Sequence, residues 1–114
     1  MDKVVELGEL LDWYGMLLTR RQRSIADQYA NENCSLSEIA EREGISRQGV
    51  RDALVRSEEQ LRGYESALGL IRRFHEQERL YALTRIMVKE SALEPGQKEA
   101  FFRALDRMEA IWEE

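Results

Sequence analysis

Apolar residues recur at spacings of three and four along most of this chain, which is the period of amphipathic α-helices. The first such stripe consists of Val4, Leu7, Leu11, Tyr14 and Leu18. Leu10, Trp13 and Leu17 broaden the stripe beyond one face, so the first predicted helix must bury two of its sides. One side would pack in the chain's own domain, and a partner could cover the other.

Residues that favour helix ends separate the stripes. Thr19 is a suitable N-cap for a second helix, "TRRQRSIADQYANEN". Ser35 with Glu38 three residues later has the pattern of a capping box. Gly44 suits the left-handed conformation that commonly ends a helix. These signals predict a second helix after Thr19 and a short third helix that ends at Gly44.

A longer helix is predicted to begin at Arg47, with Ser46 as its N-cap. Its stripe contains Val50, Leu54, Leu61, Tyr64, Leu68 and Ile71. The helical pattern continues to about residue 90, so we expect one long helix after the turn. Gly63 and Gly69 each weaken it by about 1 kcal/mol relative to alanine, and a break near either glycine is the alternative.

The last predicted helix follows the stretch "ESALEPGQKE", and its stripe contains Phe101, Leu105, Met108 and Trp112. No segment alternates convincingly at the period of two that is typical of β-strands. The expected fold class is therefore all-α, as a helical bundle in a single domain over residues 1–114. Residues 72–114 would form a C-terminal helical extension of that domain.

The composition agrees with a helical fold in one domain. The chain has 114 residues, and its single proline and seven glycines are too few for the many turns of a β protein. No run of about eighteen apolar residues is present, so no membrane insertion is expected. The acidic N-terminal segment is unlike a secretory signal, and Cys34 is the single cysteine. We therefore expect a cytoplasmic protein.

Charge is distributed unevenly along the chain. The net charge of −5 argues against a protein that coats nucleic acid indiscriminately, because such proteins are normally basic. Acidic residues outnumber basic ones in residues 1–18 and 92–114, whereas residues 19–62 carry both in equal number. This neutral middle segment can hold a local basic patch.

Residues 36–55, "LSEIAEREGISRQGVRDALV", match a helix-turn-helix motif. Ala40 is small enough for two helices to approach, Gly44 makes the turn, and Ile45 fills the space beneath it. The core positions of the second helix are Val50 and Ala53. The alternative is a pair of helices joined by a glycine turn for packing alone, but both caps and the core positions favour the motif.

The start of the second helix is the candidate reading surface, since this end enters the major groove of DNA in such motifs. Arg47, Gln48 and Arg51 are placed there. Arginine suits guanine and glutamine suits adenine in bidentate hydrogen bonds. Further candidates, at helix N-termini or on the preceding helix where phosphates could be bound, are Ser35, Ser37, Ser46, Arg20, Arg21 and Arg23.

A solvated helix face with ordinary ion pairs is the alternative for the same residues. Arg47 and Arg51 would then pair with Glu43 and other nearby acids. Glu43 departs from the motif, where an apolar residue is common, and we expect it to point outward at the helix end. Asp52 adds a negative charge to this face. The residues alone leave the two interpretations open.

Several motifs in residues 7–70 together resemble one known family. They are the aromatic pair at 13–14, "LLT" at 17–19 with Gln22, Tyr29, "NEN" at 31–33, "SLSEIA" at 35–40, "SRQ" at 46–48 with Val50 and Asp52, Arg56, Glu58, Leu61, "YE" at 64–65 and Leu68. On these motifs the chain resembles the YlxM family of small bacterial proteins. Gly49 and Arg51 depart from it, since the family usually has alanine and an aromatic residue there.

The resemblance implies an all-helical protein similar to region four of sigma factors, which contacts promoter DNA. It also implies a link to the signal recognition particle, because the family's gene tends to accompany those of the particle's GTPases. The implied role is an accessory component of the particle or a regulator of its expression. Its ligand would be DNA or the RNA of the particle.

Catalytic and metal chemistry find little support in the sequence. His75 and Cys34 are the single histidine and cysteine, which is poor material for a nucleophile and its base. So few ligands make a zinc cluster unexpected, and no glycine-rich phosphate loop is present. We therefore expect a protein that is not an enzyme and needs no cofactor or metal.

The heptad-like spacing of Leu54, Leu61 and Leu68 suggests a homodimer in addition to internal packing. The residues assigned to dimer or packing contacts are Leu7, Leu11, Trp13, Tyr14, Leu54, Leu61, Tyr64 and Leu68. A dimer would hold its reading helices about 34 Å apart if they read successive major grooves. Two function classes remain. One is a nucleic-acid-binding accessory or regulator, and the other is an adaptor that docks a targeting GTPase or a transcription component through helical surfaces.

Overall fold

The computed structural model describes residues 2–113, which form helices joined by short connections and contain no strand. The helices are α1 (Lys3–Tyr14), α2 (Arg20–Ala30), α3 (Leu36–Glu43), α4 (Arg47–Leu68), α5 (Leu70–Lys89) and α6 (Pro95–Ala110). Single 3₁₀ turns follow α1 (Gly15–Leu17) and α6 (Ile111–Glu113). The expected all-α fold with a long helix after the turn is confirmed.

The helix boundaries follow from local side-chain chemistry. Thr19 and Ser35 each begin a helix with a reciprocal capping box, made with Gln22 and Glu38 respectively. Ser46 caps α4 by accepting a hydrogen bond from the backbone N–H of Gly49 at 2.9 Å. All three predicted caps are therefore confirmed.

The helices divide into two compact units, one ending at Ile71 and the other beginning at Arg72. In the first unit, α1 packs against α2 and α4, and α3 packs against α4. Its larger core cluster contains Leu7, Leu10, Leu11, Tyr14, Leu18, Ala26, Leu61 and Ile71. The grouping of both units in the single domain expected from the sequence stays a prediction.

Four of the eight residues assigned to dimer or packing contacts lie in this core, namely Leu7, Leu11, Tyr14 and Leu61. Trp13, Leu54 and Tyr64 are partly buried against it. Leu68 differs, because it is 48% exposed at the last position of α4. The apolar stripe of α4 thus leaves the core before the helix ends.

The long helix is broken at Gly69, which corrects the continuous helix to residue 90 expected from periodicity. Gly69 has φ +65°, in the left-handed region that glycine adopts without steric strain. Gly63 stays in the interior of α4. Of the two glycines that could have marked a break, the second one does so.

A partly buried hydrogen-bond cluster holds the start of α5 after this break. The Tyr14 hydroxyl donates to Oε1 of Glu65 at 2.6 Å and accepts from the backbone N–H of Leu70 at 3.2 Å. The same carboxylate oxygen accepts from the N–H of Ile71 at 2.9 Å. Side chains of α1 and α4 therefore satisfy two N–H groups that α5 leaves free at its first turn.

The second unit is an antiparallel pair of helices. The Phe74 ring near the start of α5 meets Trp112 edge-on, with ring centroids 5.7 Å apart. Arg85 forms ion pairs with Asp106 and Glu109 of α6 at 2.8 and 2.7 Å. Of the stripe predicted for the last helix, Leu105 is buried, whereas Phe101 and Met108 are about half exposed.

No helix within residues 2–113 is both long enough and apolar enough to cross a membrane.

Candidate nucleic-acid interface

A small apolar cluster holds the predicted helix-turn-helix together. Ile39 and Ala40 of α3 pack with Val50 of α4, and Ile25 of α2 lies beneath both helices. Ile45 in the turn and Ala53 on α4 are partly buried against the same cluster. Gly44 ends α3 with φ +69°. The predicted core positions of the motif are confirmed, so the start of α4 has a rigid base.

Arg47 and Arg51 lie exposed on the first turns of α4, four residues apart and therefore on one face of the helix. Neither forms an ion pair or a side-chain hydrogen bond within residues 2–113. The ordinary ion pairs with Glu43, considered from the sequence, are thus not formed.

Glu43 lies against α2, which corrects its expected outward position. Its carboxylate accepts hydrogen bonds from Ser24 at 3.4 Å and from Gln28 at 3.2 Å. Arg21 lies 3.8 Å from the other carboxylate oxygen. The polar residue in place of the usual apolar one is therefore satisfied by polar partners on the neighbouring helix.

Arg21 also joins α2 to the turn of the motif. Its guanidinium donates to the backbone carbonyl of Glu43 at 2.9 Å, directly before Gly44. Arg20 and Arg23 are exposed on the same first turn of α2, and the described residues offer neither an ion-pair partner. The structure thus brings Arg21 to the turn, whereas it shows no contact that ties Arg20 or Arg23 to α4.

Gln48 has a partner on its own helix. Its side-chain amide donates to Oδ1 of Asp52 at 3.0 Å, four residues along α4. Both side chains are exposed, so the interaction is weak and competes with water. A nucleic-acid base that reads Gln48 would have to replace this hydrogen bond, and Asp52 would repel a phosphate nearby.

The N-termini of α3 and α4 differ in charge. At α3, Glu38 reaches back to the N–H of Ser35 at 3.0 Å, and this hydrogen bond holds the pKa of Glu38 below its usual range. A carboxylate thus occupies the end of α3 where Ser35 and the exposed Ser37 lie. The first turn of α4 contains no acidic residue. An anion that approaches its free N–H groups would therefore meet no repulsion from a carboxylate there.

An apolar groove of about 300 Å³ adjoins Arg51. Its walls include Leu7, Tyr29 and Leu36, and Arg51 and Lys3 both line it. From the sequence, Lys3 belonged to the acidic N-terminal segment, and only the fold brings it to the same groove as Arg51. Periodicity along one helix cannot reveal that residues of α1 and α4 line the same groove.

Cys34 and His75 each contact a charged side chain. Arg42 donates to the sulfur of Cys34 at 3.2 Å, and His75 lies 3.3 Å from Glu78 on its own helix. Within the described part of the chain, no three His, Cys, Asp or Glu side chains are placed to hold a metal ion.

The packed α3–turn–α4 unit, with its capped and exposed second helix, defines a helix-turn-helix protein. Family comparison agrees, because the family described as "Putative helix-turn-helix protein, YlxM / p13 like" matches residues 1–101. The chain belongs to this family, UPF0122, and the resemblance found in the sequence is confirmed.

Relatives of this family are found in several bacteria. A UPF0122 protein of Acetivibrio thermocellus is 52% identical over 77 residues, which cover 68% of this chain and 66% of that relative. A UPF0122 protein of Bacillus thuringiensis is 33% identical over 109 residues, which cover 96% of this chain and 99% of the relative. A relative in Bacillus anthracis matches to the same extent.

Proposed function

We propose that this protein binds nucleic acid through the N-terminal end of α4, with Arg47 and Arg51 as the principal contacts. Gln48 and Ser46 lie beside them on the same helix start. The observation that carries the proposal is a pair of exposed arginines without ion pairs on a capped helix start of a helix-turn-helix. No catalytic role is part of the proposal.

Position distinguishes this pair from other exposed arginines, because Arg20, Arg23 and Arg56 also lack an ion-pair partner among the described residues but do not lie on the first turns of α4. Arg62 bridges Glu6 and Glu58, and Arg85 bridges two acids of α6. The chain carries 22 acidic residues, so partners are abundant. Two such arginines on the exposed start of the second helix of a helix-turn-helix support binding of an external anion at this place.

The proposed setting is the bacterial signal recognition particle pathway, in which the protein would be a cytoplasmic accessory or regulatory component. This part rests on the family resemblance alone. Its ligand would be duplex DNA or the RNA of the particle. An RNA helix has a deep and narrow major groove, so RNA binding would use a loop, a widened groove or mainly phosphates.

A titration of the protein against random duplex DNA and particle RNA, each at two salt concentrations, tests the proposal. We expect binding that weakens steeply with salt, because contacts to phosphates release counterions. Arg47→Ala/Arg51→Ala should weaken it by about 1 to 3 kcal/mol per lost bidentate contact. Equal binding by this variant and the wild type would contradict the proposal.

Two further variants sharpen the comparison. Arg56→Ala/Arg73→Ala removes the same charge from exposed arginines outside the first turns of α4, and we expect it to bind nearly as the wild type does. Arg47→Lys/Arg51→Lys keeps the charge but not the planar fork of the guanidinium. Retained affinity with lost sequence preference would identify base contacts, whereas retained preference would indicate phosphate contacts.

The apolar groove beside Arg51 favours a second candidate function. In this function the protein is an adaptor that docks a targeting GTPase or a transcription component and makes no nucleic-acid contact. An apolar interface responds little to salt. Absence of nucleic-acid binding at low salt, together with salt-insensitive binding of the particle's GTPases, would favour the adaptor.

A further inference from the structure

The apolar groove beside Arg51 is lined by residues of the first four helices. Its apolar lining residues are Val4, Leu7, Tyr29, Leu36, Leu54 and Val55. On α4 the lining positions are 51, 54, 55 and 58, a spacing that puts them on a single face of the helix. Leu7 is buried, whereas Val55 is 56% exposed, so the groove reaches from the core of the first unit to its surface.

The charges along this groove are mainly positive, although the protein as a whole has a net charge of −5. Lys3 and Arg51 both line it, and within residues 2–113 neither has an ion-pair partner. Glu58 also lines the groove, but the guanidinium of Arg62 lies 3.0 Å from its carboxylate. Two cations without partners therefore adjoin an apolar surface.

We infer that the groove binds an acidic segment of a partner protein. Large apolar side chains of that segment enter the groove, and its carboxylates meet Lys3 and Arg51. Amphipathic segments commonly bind in this way, with apolar anchors in a groove and complementary charges that fix their position. The inference does not depend on nucleic-acid binding, and it gives the chemistry of the partner that an adaptor would need.

The shape of the groove favours a peptide over other anionic ligands. Nucleic-acid bases stack on aromatic side chains, and Tyr29 is the single aromatic residue among the described ones that line the groove. Small-molecule pockets measure roughly 300 to 1,000 Å³ and bury about 70 to 90% of their ligand. This groove has a volume of about 300 Å³ and an exposed wall at Val55, so it suits a few side chains of a longer segment.

Selection of random peptides displayed on phage, with the whole chain as bait and no nucleic acid present, tests the chemistry of the partner. We expect the enriched peptides to combine large apolar residues with Asp or Glu. Mainly basic peptides, or no enrichment over a surface without bait, would overturn the inference. Since no DNA or RNA takes part, this result and the test of nucleic-acid binding at Arg47 can fail separately.

Two matched valine substitutions test whether an enriched peptide binds in the groove. Val55→Glu should raise the Kd of the synthetic peptide, measured by fluorescence anisotropy, at least about ten-fold, since binding would bury an unpaired charge. Val5 is 58% exposed but does not line the groove, so Val5→Glu is the control and should bind as the wild type does. Equal Kd values for the two variants would contradict binding in the groove.

Removal of a single charge tests the contact with carboxylates without altering the apolar wall. Lys3→Gln should raise the Kd of the peptide by about two- to five-fold, which is the effect of one exposed ion pair. Lys89→Gln in the second unit is the control and should leave the Kd unchanged. An effect of Lys3→Gln no larger than that of Lys89→Gln contradicts the carboxylate contact.

Sedimentation of the protein without peptide tests the competing occupant. We expect Val55→Glu to leave the oligomeric state of the wild type unchanged. Self-association of the wild type that Val55→Glu abolishes would assign the groove to a second copy of this chain and overturn the inference.

Discussion

At the scale of single residues, Tyr14 links the parts of the first unit. It is 1% exposed, and its hydroxyl joins α1 to Glu65 at the end of α4 and to the start of α5. Burial, followed by the hydrogen bond to the Glu65 carboxylate, raises the pKa of Tyr14 above its ordinary value of 10.0. The folded state therefore holds this proton more tightly than the unfolded state does.

The raised pKa gives a prediction for alkaline pH. The stability from neutral Tyr14 is fully present below pH 10 and is lost as the pH rises through the higher folded pKa. Tyr14→Phe should lower the free energy of unfolding by about 1 to 2 kcal/mol near neutral pH. This difference should narrow at about pH 11, as measured by urea unfolding.

Tyr81→Phe in the second unit is the control for this measurement, since it removes a tyrosine hydroxyl without touching the cluster around Glu65. A Tyr14→Phe variant as stable as the wild type near neutral pH would show that the cluster contributes nothing to stability.

At the scale of the helix, two glycines of one sequence stretch have opposite roles. Gly63 lies inside α4, and a Cβ added there would meet nothing within 4 Å. Gly69 has a positive φ of 65° and ends the same helix. The first glycine is a weak point in the helix, and the second is required by the backbone.

Alanine substitution should therefore have opposite effects at the two positions. Gly63→Ala should raise the free energy of unfolding by about 1 kcal/mol, through helix propensity alone. Gly69→Ala should lower it by about 1 to 2 kcal/mol, because alanine is strained in the left-handed region. Denaturant unfolding of both variants measures the difference, and stabilisation by Gly69→Ala would contradict the break between α4 and α5.

The sequence predicts helix starts better than helix breaks. Thr19, Ser35 and Ser46 cap through neighbouring backbone groups, so local chemistry was sufficient to predict them. The break at Gly69 depends on Tyr14, which is remote in the sequence, and periodicity could not choose between the two glycines. The inward position of Glu43 likewise depends on Ser24 and Gln28 of another helix.

In the candidate site, too, the sequence predicted the local features but not those that depend on other helices. The placement of Arg47 and Arg51 on one exposed face followed from the motif and helical spacing. Their lack of ion pairs could not be derived from the sequence. Glu43 was a possible partner for them, and only the fold shows that it is bound by Ser24 and Gln28 of α2. Lys3 entered the neighbourhood of Arg51 only through the packing of α1 on α4.

At the scale of the whole molecule, the net charge of −5 limits how the protein can bind nucleic acid. The acidic chain repels a polyanion at long range. Binding must therefore come from a local surface whose charges lie within one Debye length of the nucleic acid, which is about 8 Å in physiological salt. The start of α4 meets this requirement, because its first turn lacks acidic residues and its first two turns carry Arg47 and Arg51 without ion pairs. A short, orientation-specific contact is expected rather than a broad electrostatic one.

Site-specific photocross-linking tests this central claim most directly. A photoreactive benzoylphenylalanine would replace Gln48, or in the control Ser66, which is exposed on the same face of α4 but about 27 Å further along the helix. With radiolabelled particle RNA or random duplex DNA, we predict cross-links from position 48 that disappear at high salt, and none from position 66. Equal cross-linking from both positions, or cross-links from position 66 alone, would contradict a nucleic-acid interface at the start of α4.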